Sequence, residues 1–262
     1  MDNSGTASGT YSAAFSNYPV SIVITNCDGY SIITSGVTNK LTLNAGGIFQ
    51  DASVTNTGVS STANPGVNRF YHYFELSANS QIINNSTNTV LNIRSDTAAN
   101  NAGGNFCLDN KGYTLTVGGA GRVSFTAAGS TDPGGALRGT GGVTKTGTGT
   151  ASLLAANTYS GPTAVSAGRL ELSTLSAGGG SVTVADSASL SVGVGVSNSI
   201  AAVGNIFCIP SLTLTNSSQA SGTANTNLVI DLRTSGNPTN PIIYATNLTA
   251  VGPNPIYVAI TG

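Results

Sequence analysis

Side chains that could carry acid–base or hydrolytic chemistry are few in this sequence, and they are scattered. Glycoside hydrolysis needs two or three carboxylates close together, and a polysaccharide lyase needs an acidic calcium site with a basic proton acceptor. The acidic residues occur singly, at Asp2, Asp28, Asp51, Glu75, Asp96, Asp109, Asp132, Glu171, Asp186 and Asp231. His72 is the single histidine, which leaves no Ser-His-Asp site of the usual kind. We therefore predict no catalytic residues. An enzyme acting on carbohydrate stays an alternative, and it requires three or more carboxylates to converge in one groove.

A glycine-rich run between Gly139 and Gly149 invites comparison with a phosphate-binding loop. In such a loop a Gly-Lys-Thr/Ser sequence leads directly into a helix. Here Thr144 precedes Lys145, and no helical pattern follows. We interpret the glycines as turn residues and Lys145 as a solvated side chain, and we expect no cofactor.

The cysteines Cys27, Cys107 and Cys208 are far apart and form no Cys-x-x-Cys pair, which argues against a zinc ribbon or a redox motif. We expect no metal site. Three interpretations of these residues stay open. They are buried small apolar residues, or two of them form one disulfide and leave a free thiol, or one forms a bridge between chains.

An aromatic cluster, Phe70, Tyr71, Tyr73 and Phe74, lies within five positions of a chain that is only 6% aromatic. Strand alternation would place Phe70, His72 and Phe74 on one face and the two tyrosines with Glu75 on the other. We expect one face to be core. The other is a candidate contact for a sugar, a neighbouring subunit or a folded-back loop.

The composition excludes several classes of partner. Only 7% of residues are charged and the net charge is -1, so nothing in the sequence attracts nucleic acid or anionic lipid. A surface with so little charge also favours self-association, because it lacks the repulsion that keeps proteins apart. The apolar runs are short, far below the roughly 18 residues that a membrane-spanning helix needs. The residues after Met1 have no basic and apolar segments of the kind found in a signal peptide.

Residues 137–172 show the clearest pattern in the chain. Short segments with period-2 alternation are separated by glycine, asparagine and proline, which is typical of strands that end and turn repeatedly, with no room for an ordinary helix. The residues that form this pattern are Gly139, Gly141, Lys145, Gly147, Gly149, Leu153, Asn157, Thr158, Tyr159, Gly161, Thr163, Val165, Gly168 and Leu170.

This segment resembles one copy of the autotransporter-associated β-strand repeat, also called the passenger-associated transport repeat. The copy departs from the family pattern at Val143, Ala151, Ala155 and Pro162. The resemblance implies a right-handed parallel β-helix in an exported bacterial passenger or surface protein, and it implies no particular chemistry.

Further short strands are predicted along most of the chain, with starts near Val90, Tyr113, Val143, Thr163 and Val182. Their spacing of about 20 residues, with one longer interval, is typical of a solenoid and predicts roughly 10 to 12 coils. We predict an all-β fold with an arm or cap over residues 1–18 and one continuous solenoid over 19–262, with a loop insertion near 56–69. The sequence after Leu212 predicts strands separated by Pro238, Pro241, Pro253 and Pro255, and a last edge that further chain or another subunit would cover.

The expected function follows from these points. We predict a non-enzymatic secreted or cell-surface structural protein of bacterial origin that self-associates, end to end or laterally, into a fibre or sheath. The alternative is an adhesin or glycan-binding passenger domain that uses the aromatic cluster as its contact.

Overall fold

The computed structural model consists of short β-strands joined by turns. It describes residues 10–11, 20–24, 31–33, 40–54, 67–71, 73–94, 106–126, 135–176, 179–194, 196–197, 200–201, 205–217, 227–233 and 240–262. Within these ranges the chain forms strands, turns and bends and no helix. In the same ranges, accordingly, no helix of the length and apolar character needed to cross a membrane is found.

The strands are short, as the sequence pattern predicts. The first twelve are β1 (Thr10–Tyr11), β2 (Val20–Ile24), β3 (Ser31–Ile33), β4 (Lys40–Gln50), β5 (Val67–Tyr71), β6 (Tyr73–Leu76), β7 (Ser80–Asn84), β8 (Val90–Arg94), β9 (Phe106–Asp109), β10 (Leu115–Gly118), β11 (Val123–Thr126) and β12 (Ala136–Arg138). The others are β13 (Val143–Lys145), β14 (Thr150–Leu153), β15 (Thr163–Val165), β16 (Gly168–Ser173), β17 (Val182–Val184), β18 (Ala188–Gly193), β19 (Val196–Ser197), β20 (Ile200–Ala201), β21 (Phe207–Thr215), β22 (Leu228–Asp231), β23 (Ile243–Val251) and β24 (Val258–Thr261).

The strands lie on three faces, named A, B and C, and the coils from β13 to β18 have strands on faces A and B alone. Face A is the sheet β1-β3-β5-β8-β11-β14-β16-β18-β22-β24. The second large sheet is divided where β4 turns a corner. Face C is residues 40–43 of β4 with β6, β9 and β12, and face B is β2, residues 48–50 of β4, β7, β10, β13, β15, β17, residues 211–215 of β21 and residues 247–251 of β23.

Every strand pairing described in the two large sheets is parallel, and only the small pair β19 and β20 is antiparallel. Parallel pairing means that the chain returns to the same face after each coil. This confirms the predicted all-β parallel solenoid.

The interior is a set of aliphatic columns that run along the rod. On face A one inward column is Leu91, Val123, Ala151, Leu170, Leu190 and Leu228. These side chains are buried, whereas the outward residues between them are mostly serine and other polar types. Strand alternation therefore places the apolar half of each strand in the core.

In the described residues face A has ten strands, which agrees with the lower end of the predicted coil number. At about 4.8 Å per strand the rod is roughly 45 Å long. The predicted even spacing is wrong outside one region. Val143, Thr163 and Val182 are in register on face B, but Val90 lies on face A, and the coils on either side of this region are longer. The coils before this region include an additional strand on face C, so no single period describes the chain.

Parts of the predicted domain plan fall within the described residues. Strand β1 lies inside the predicted arm and pairs with β3, and β5 begins at Val67, inside the predicted insertion. The rest of that insertion lies outside the described residues. Pro241, Pro253 and Pro255 lie between strands, as predicted, and Pro238 is outside the described residues.

Candidate functional site

The aromatic cluster occupies two strands on two faces, and not a single strand. Strand β5 ends at Tyr71 on face A, and β6 begins at Tyr73 on face C. Phe70 and Phe74 are 1% and 0% exposed, and their rings meet edge to face with centroids 6.2 Å apart. These two predicted contact residues therefore lie in the core, where no ligand reaches them. His72 and the side chain of Tyr71 lie outside the described residues.

Tyr73 is 4% exposed, because the side chain of Arg138 covers its ring. The guanidinium carbon of Arg138 lies 5.2 Å from the centroid of Tyr73 and 5.0 Å from that of Phe106. Arg138 Nη2 donates to the Tyr73 hydroxyl over 2.6 Å, and its Nε donates to Asp109 Oδ2 over 3.1 Å. Tyr73 in turn donates to Asp109 Oδ2 over 3.3 Å. Tyr73, which was predicted to be a contact residue, is therefore part of a polar network on face C.

Strand register assembles this network. Glu75, Asp109 and Arg138 occupy in-register positions on β6, β9 and β12, so their side chains follow one another along face C. Lys111 Nζ lies 3.0 Å from Glu75 Oε1 and 3.4 Å from Asp109 Oδ2, and it separates the two carboxylates. The network connects three consecutive coils.

This arrangement is suited to holding coils together, and it does not form an acid–base pair. Burial would raise the pKa of Asp109, but the backbone N–H of Lys111 and the positive charges of Lys111 and Arg138 outweigh it and lower the pKa. Asp109 is therefore ionised at neutral pH and holds Arg138 over the Tyr73 ring. In the described part of the chain, no three His, Cys, Asp or Glu side chains lie close enough to hold a metal ion.

We expect Asp109→Asn to lower the free energy of unfolding by about 2 kcal/mol at pH 7, since charge-assisted hydrogen bonds to Arg138 and Lys111 are lost. A carboxyl whose pKa is lowered by folding stabilises the fold above its unfolded pKa, near 4, and this stabilisation is lost as the pH falls below that value. Urea denaturation at pH 7 and pH 3 measures both effects. The difference between parent and variant should shrink at pH 3, and an unchanged difference would contradict the ion-pair role.

Lys145, in the repeat segment, is buried at 1% exposure, so its interpretation as a solvated side chain is wrong. It points inward in an aliphatic column on face B, which is Ile82, Val117, Lys145, Val165, Val184 and Leu214. Its Nζ donates to the carbonyl oxygens of Thr146 at 2.5 Å, Gly147 at 2.8 Å and Ala167 at 3.2 Å. Burial lowers the pKa of Lys145 to about 8. The amine joins two coils at the corner between faces B and A.

The glycines of the repeat allow the backbones of neighbouring coils to approach at this corner. Gly147 and Gly168 have φ angles of 68° and 64°, which L side chains rarely adopt. A Cβ on Gly168 would lie 2.4 Å from the Gly147 carbonyl oxygen and 2.9 Å from Lys145 Nζ. The spacing of lysine and glycines in the repeat therefore builds one corner. The remaining glycines of the predicted set, Gly139, Gly141, Gly149 and Gly161, also lie in turns where a Cβ would meet the backbone of an adjacent coil or, at Gly139, an adjacent side chain.

Asn157 and Tyr159 bring buried polar groups to the following corner. Asn157 is 1% exposed, its Nδ2 donates to Leu153 O, Ala155 O and Ser176 Oγ, and its Oδ1 accepts from Leu137 N. The Tyr159 hydroxyl lies 2.7 Å from Thr163 Oγ1, and burial raises the pKa of Tyr159 to about 12. Thr158 between them is exposed and pairs only through its backbone. The motif residues are thus connectors between coils.

A second buried polar network was not predicted. Gln50 Nε2 donates to Asn84 Oδ1 over 2.9 Å and to Thr89 Oγ1, and Asn68 Nδ2 donates to Gln50 Oε1 over 2.8 Å. Asn84 Nδ2 also donates to the carbonyl oxygens of Thr89 and Arg122. Asparagine is frequent in this chain, so composition gave no signal that singled out Asn68 and Asn84. Like Lys145, these amides connect neighbouring coils by hydrogen bonds at a corner.

The cysteines divide between two environments. Cys107 is free and fully buried, and burial raises the pKa of its thiol. Cys208 is free and exposed. Cys107 agrees with the interpretation as a small buried residue, Cys208 does not, and Cys27 lies outside the described residues. Cys107 and Cys208 are not bridged to each other.

The rung formed by β23 and β24 is the last in both large sheets, and its inward side chains are exposed. Leu248 is in register with Leu212, and Ile260 with Ile230, so both continue core columns. They are nevertheless 70% and 68% exposed, and Val258 is 53% exposed. A cavity of about 680 Å³ opens here, lined by apolar side chains that include those of Leu212, Leu228 and Ile256. Among the described residues, none covers the core cross-section at this rung.

Comparison with known proteins identifies the repeat. Residues 143–172 match the Passenger-associated-transport-repeat family, in one copy. Membership of a repeat in this family implies a bacterial extracellular or surface location. No curated protein matches the chain, and no solved structure matches it. The predicted family resemblance is therefore confirmed for this segment.

Proposed function

We propose that this chain, which carries one passenger-associated transport repeat, is a non-enzymatic, exported structural β-solenoid of the bacterial surface that associates end to end into a fibre or sheath. Two general features support this proposal. The repeat residues hold coils together through buried contacts, and the charge content of 7% gives little repulsion between copies.

The exposed rung of β23 and β24 is the observation that carries the proposal. Inward residues of a solenoid are normally covered by the next rung, and exposing them to water costs about 25 cal/mol per Å² of apolar surface. The outer edges of β23 and β24 also carry backbone groups that can pair with another strand. Another β-rung satisfies both requirements at once.

A second copy of this chain is the occupant that we propose. Strands β1 and β24 are the two outer strands of face A, so stacking copies head to tail places β1 of one copy beside β24 of the next. Such a contact joins two different surfaces, so it repeats without closing and generates a rod. A contact between two identical ends would stop at a dimer.

The double variant Leu248→Lys, Ile260→Lys is expected to abolish end-to-end association, because each lysine places a charge where the apolar contact would bury it. Light scattering coupled to size-exclusion chromatography, with electron microscopy, measures the loss. Thr261→Lys is the matched control, since Thr261 is exposed on β24 of the same rung and points outward on face A. Rods should persist in the control. A parent that stays monomeric at high concentration would overturn the proposal.

The alternative of a glycan-binding contact at residues 70–74 finds little support. Phe70, Tyr73 and Phe74 are all buried, so none of these three rings offers a surface for a sugar to stack on. The structural role is therefore the one we propose.

A further inference from the structure

The outward surface of face B differs from the other two faces in its charge. Faces A and C carry arginine, aspartate and glutamate at outward positions, such as Arg169, Glu171 and Asp109. Among the described side chains, the outward positions of the face B strands carry no charge. One outward column on this face is Gln81, Thr116, Thr144, Ala164, Thr183, Thr213 and Thr249.

A neighbouring outward column of face B begins with apolar side chains. Val23, Phe49 and Ile83 are in register on β2, β4 and β7. Val23 is 53% exposed, and Phe49 and Ile83 are partly exposed. In a chain with so few aromatic residues, Phe49 is a large ring placed on an outward, charge-free sheet surface.

We propose that face B is a lateral contact surface that packs against face B of a second copy, with Phe49 as its anchor. The inference rests on the proposed structural function and identifies the second surface that a sheath needs besides the rod ends. Short outward side chains allow two sheets to approach to about 10 Å and interdigitate. Because this face lacks charge, a copy of itself meets no repulsion there, whereas faces A and C would have to bury ion pairs.

The size of the surface determines how such a contact works. The second large sheet has twelve strands, and removing β6, β9 and β12 leaves nine on face B. Most of these strands have one or two outward positions, and β13, β15 and β17 have one each, so face B spans roughly 40 Å by 10 Å. The contact then buries roughly 800 Å² in total, which is below the size of a stable specific interface. Face B is therefore weak between single copies and effective between rods, where many copies act together.

Electron microscopy of the purified chain, with rod width as the readout, tests this inference. Phe49→Lys should convert laterally packed rods into single-width rods, because the charge would be buried between two uncharged sheets. Thr183→Lys, at an exposed outward position that can hold lysine without disturbing the core, should do the same. Ser189→Lys, outward on face A, is the control and should leave rod width unchanged. Packed rods in both face B variants would overturn the inference, as would equal loss of packing in the control.

The two proposals fail in distinguishable ways. If the parent forms no rods, the end contact is refuted, and sedimentation of the same variants decides the lateral one. A parent dimer that Phe49→Lys and Thr183→Lys convert to monomer supports the face B contact. A parent that is monomeric even at the highest soluble concentration overturns the face B contact as well as the end contact, whereas a parent dimer refutes the end contact alone.

Discussion

Replacing Lys145 with methionine is expected to lower the free energy of unfolding by about 3 kcal/mol at pH 7. The carbonyl oxygens of Thr146, Gly147 and Ala167 would lose the donor that Lys145, itself 1% exposed, supplies to them. This loss outweighs the removal of a buried cation, because three acceptors are left unpaired. Urea denaturation gives the value. Thr144→Ala, outward on the same strand, is the control and should change stability by less than about 0.5 kcal/mol.

The pH dependence of the difference in unfolding free energy between the parent and Lys145→Met directly tests whether the amine is buried. Burial lowers the pKa of Lys145 to about 8, whereas the unfolded chain has the ordinary value near 10.4. Between these values the unfolded state binds more protons, so stability contributed by Lys145 rises with pH. The difference between parent and Lys145→Met should widen by about 2 kcal/mol from pH 7 to pH 9.5. The raised pKa of the Cys107 thiol makes the stability fall as the pH rises, but Cys107 is present in both proteins, so its effect cancels in the difference. A constant or narrowing difference would contradict the buried position of the amine.

Asn157→Leu is expected to have a comparable effect, about 3 to 4 kcal/mol. The substitution leaves the carbonyl oxygens of Leu153 and Ala155, and the N–H of Leu137, without their buried partner. Because a solenoid is stabilised mainly by contacts between neighbouring coils, the damage should be local. Hydrogen exchange should accelerate around residues 137–176 and little elsewhere.

Thr158→Ala is the matched control for Asn157, since its side chain is exposed and it pairs through its backbone. We expect a change within about 0.5 kcal/mol. Equal effects of the two substitutions would show that the asparagine side chain does not connect the coils.

The solenoid itself was predictable from the sequence, because turn residues and period-2 strands are local signals. Lys145 was misjudged although a local signal was present. Lys145 lies two residues after Val143 in strand β13, so strand alternation places both side chains on the inward side. The prediction gave more weight to the charge of Lys145 than to this position. Hydrogen bonds to backbone carbonyl oxygens compensate for the burial of the Lys145 amine, and the amino-acid composition does not reveal these bonds.

The polar network around Tyr73 could not be predicted in the same way. Tyr73 and Arg138 are far apart in the sequence, and they meet only because coil lengths set the register of β6, β9 and β12. Those lengths vary along the chain, so the even spacing assumed from one repeat does not locate the residues that meet. The predicted alternation of the aromatic cluster failed because the segment divides between faces A and C, where a single strand was expected.

Cryo-electron microscopy of the purified parent at high concentration tests the proposed association most directly. We predict rods that are multiples of one subunit, each about 45 Å long, with strand spacing near 4.8 Å that continues across every junction. Uniform single particles about 45 Å long at every concentration would contradict it.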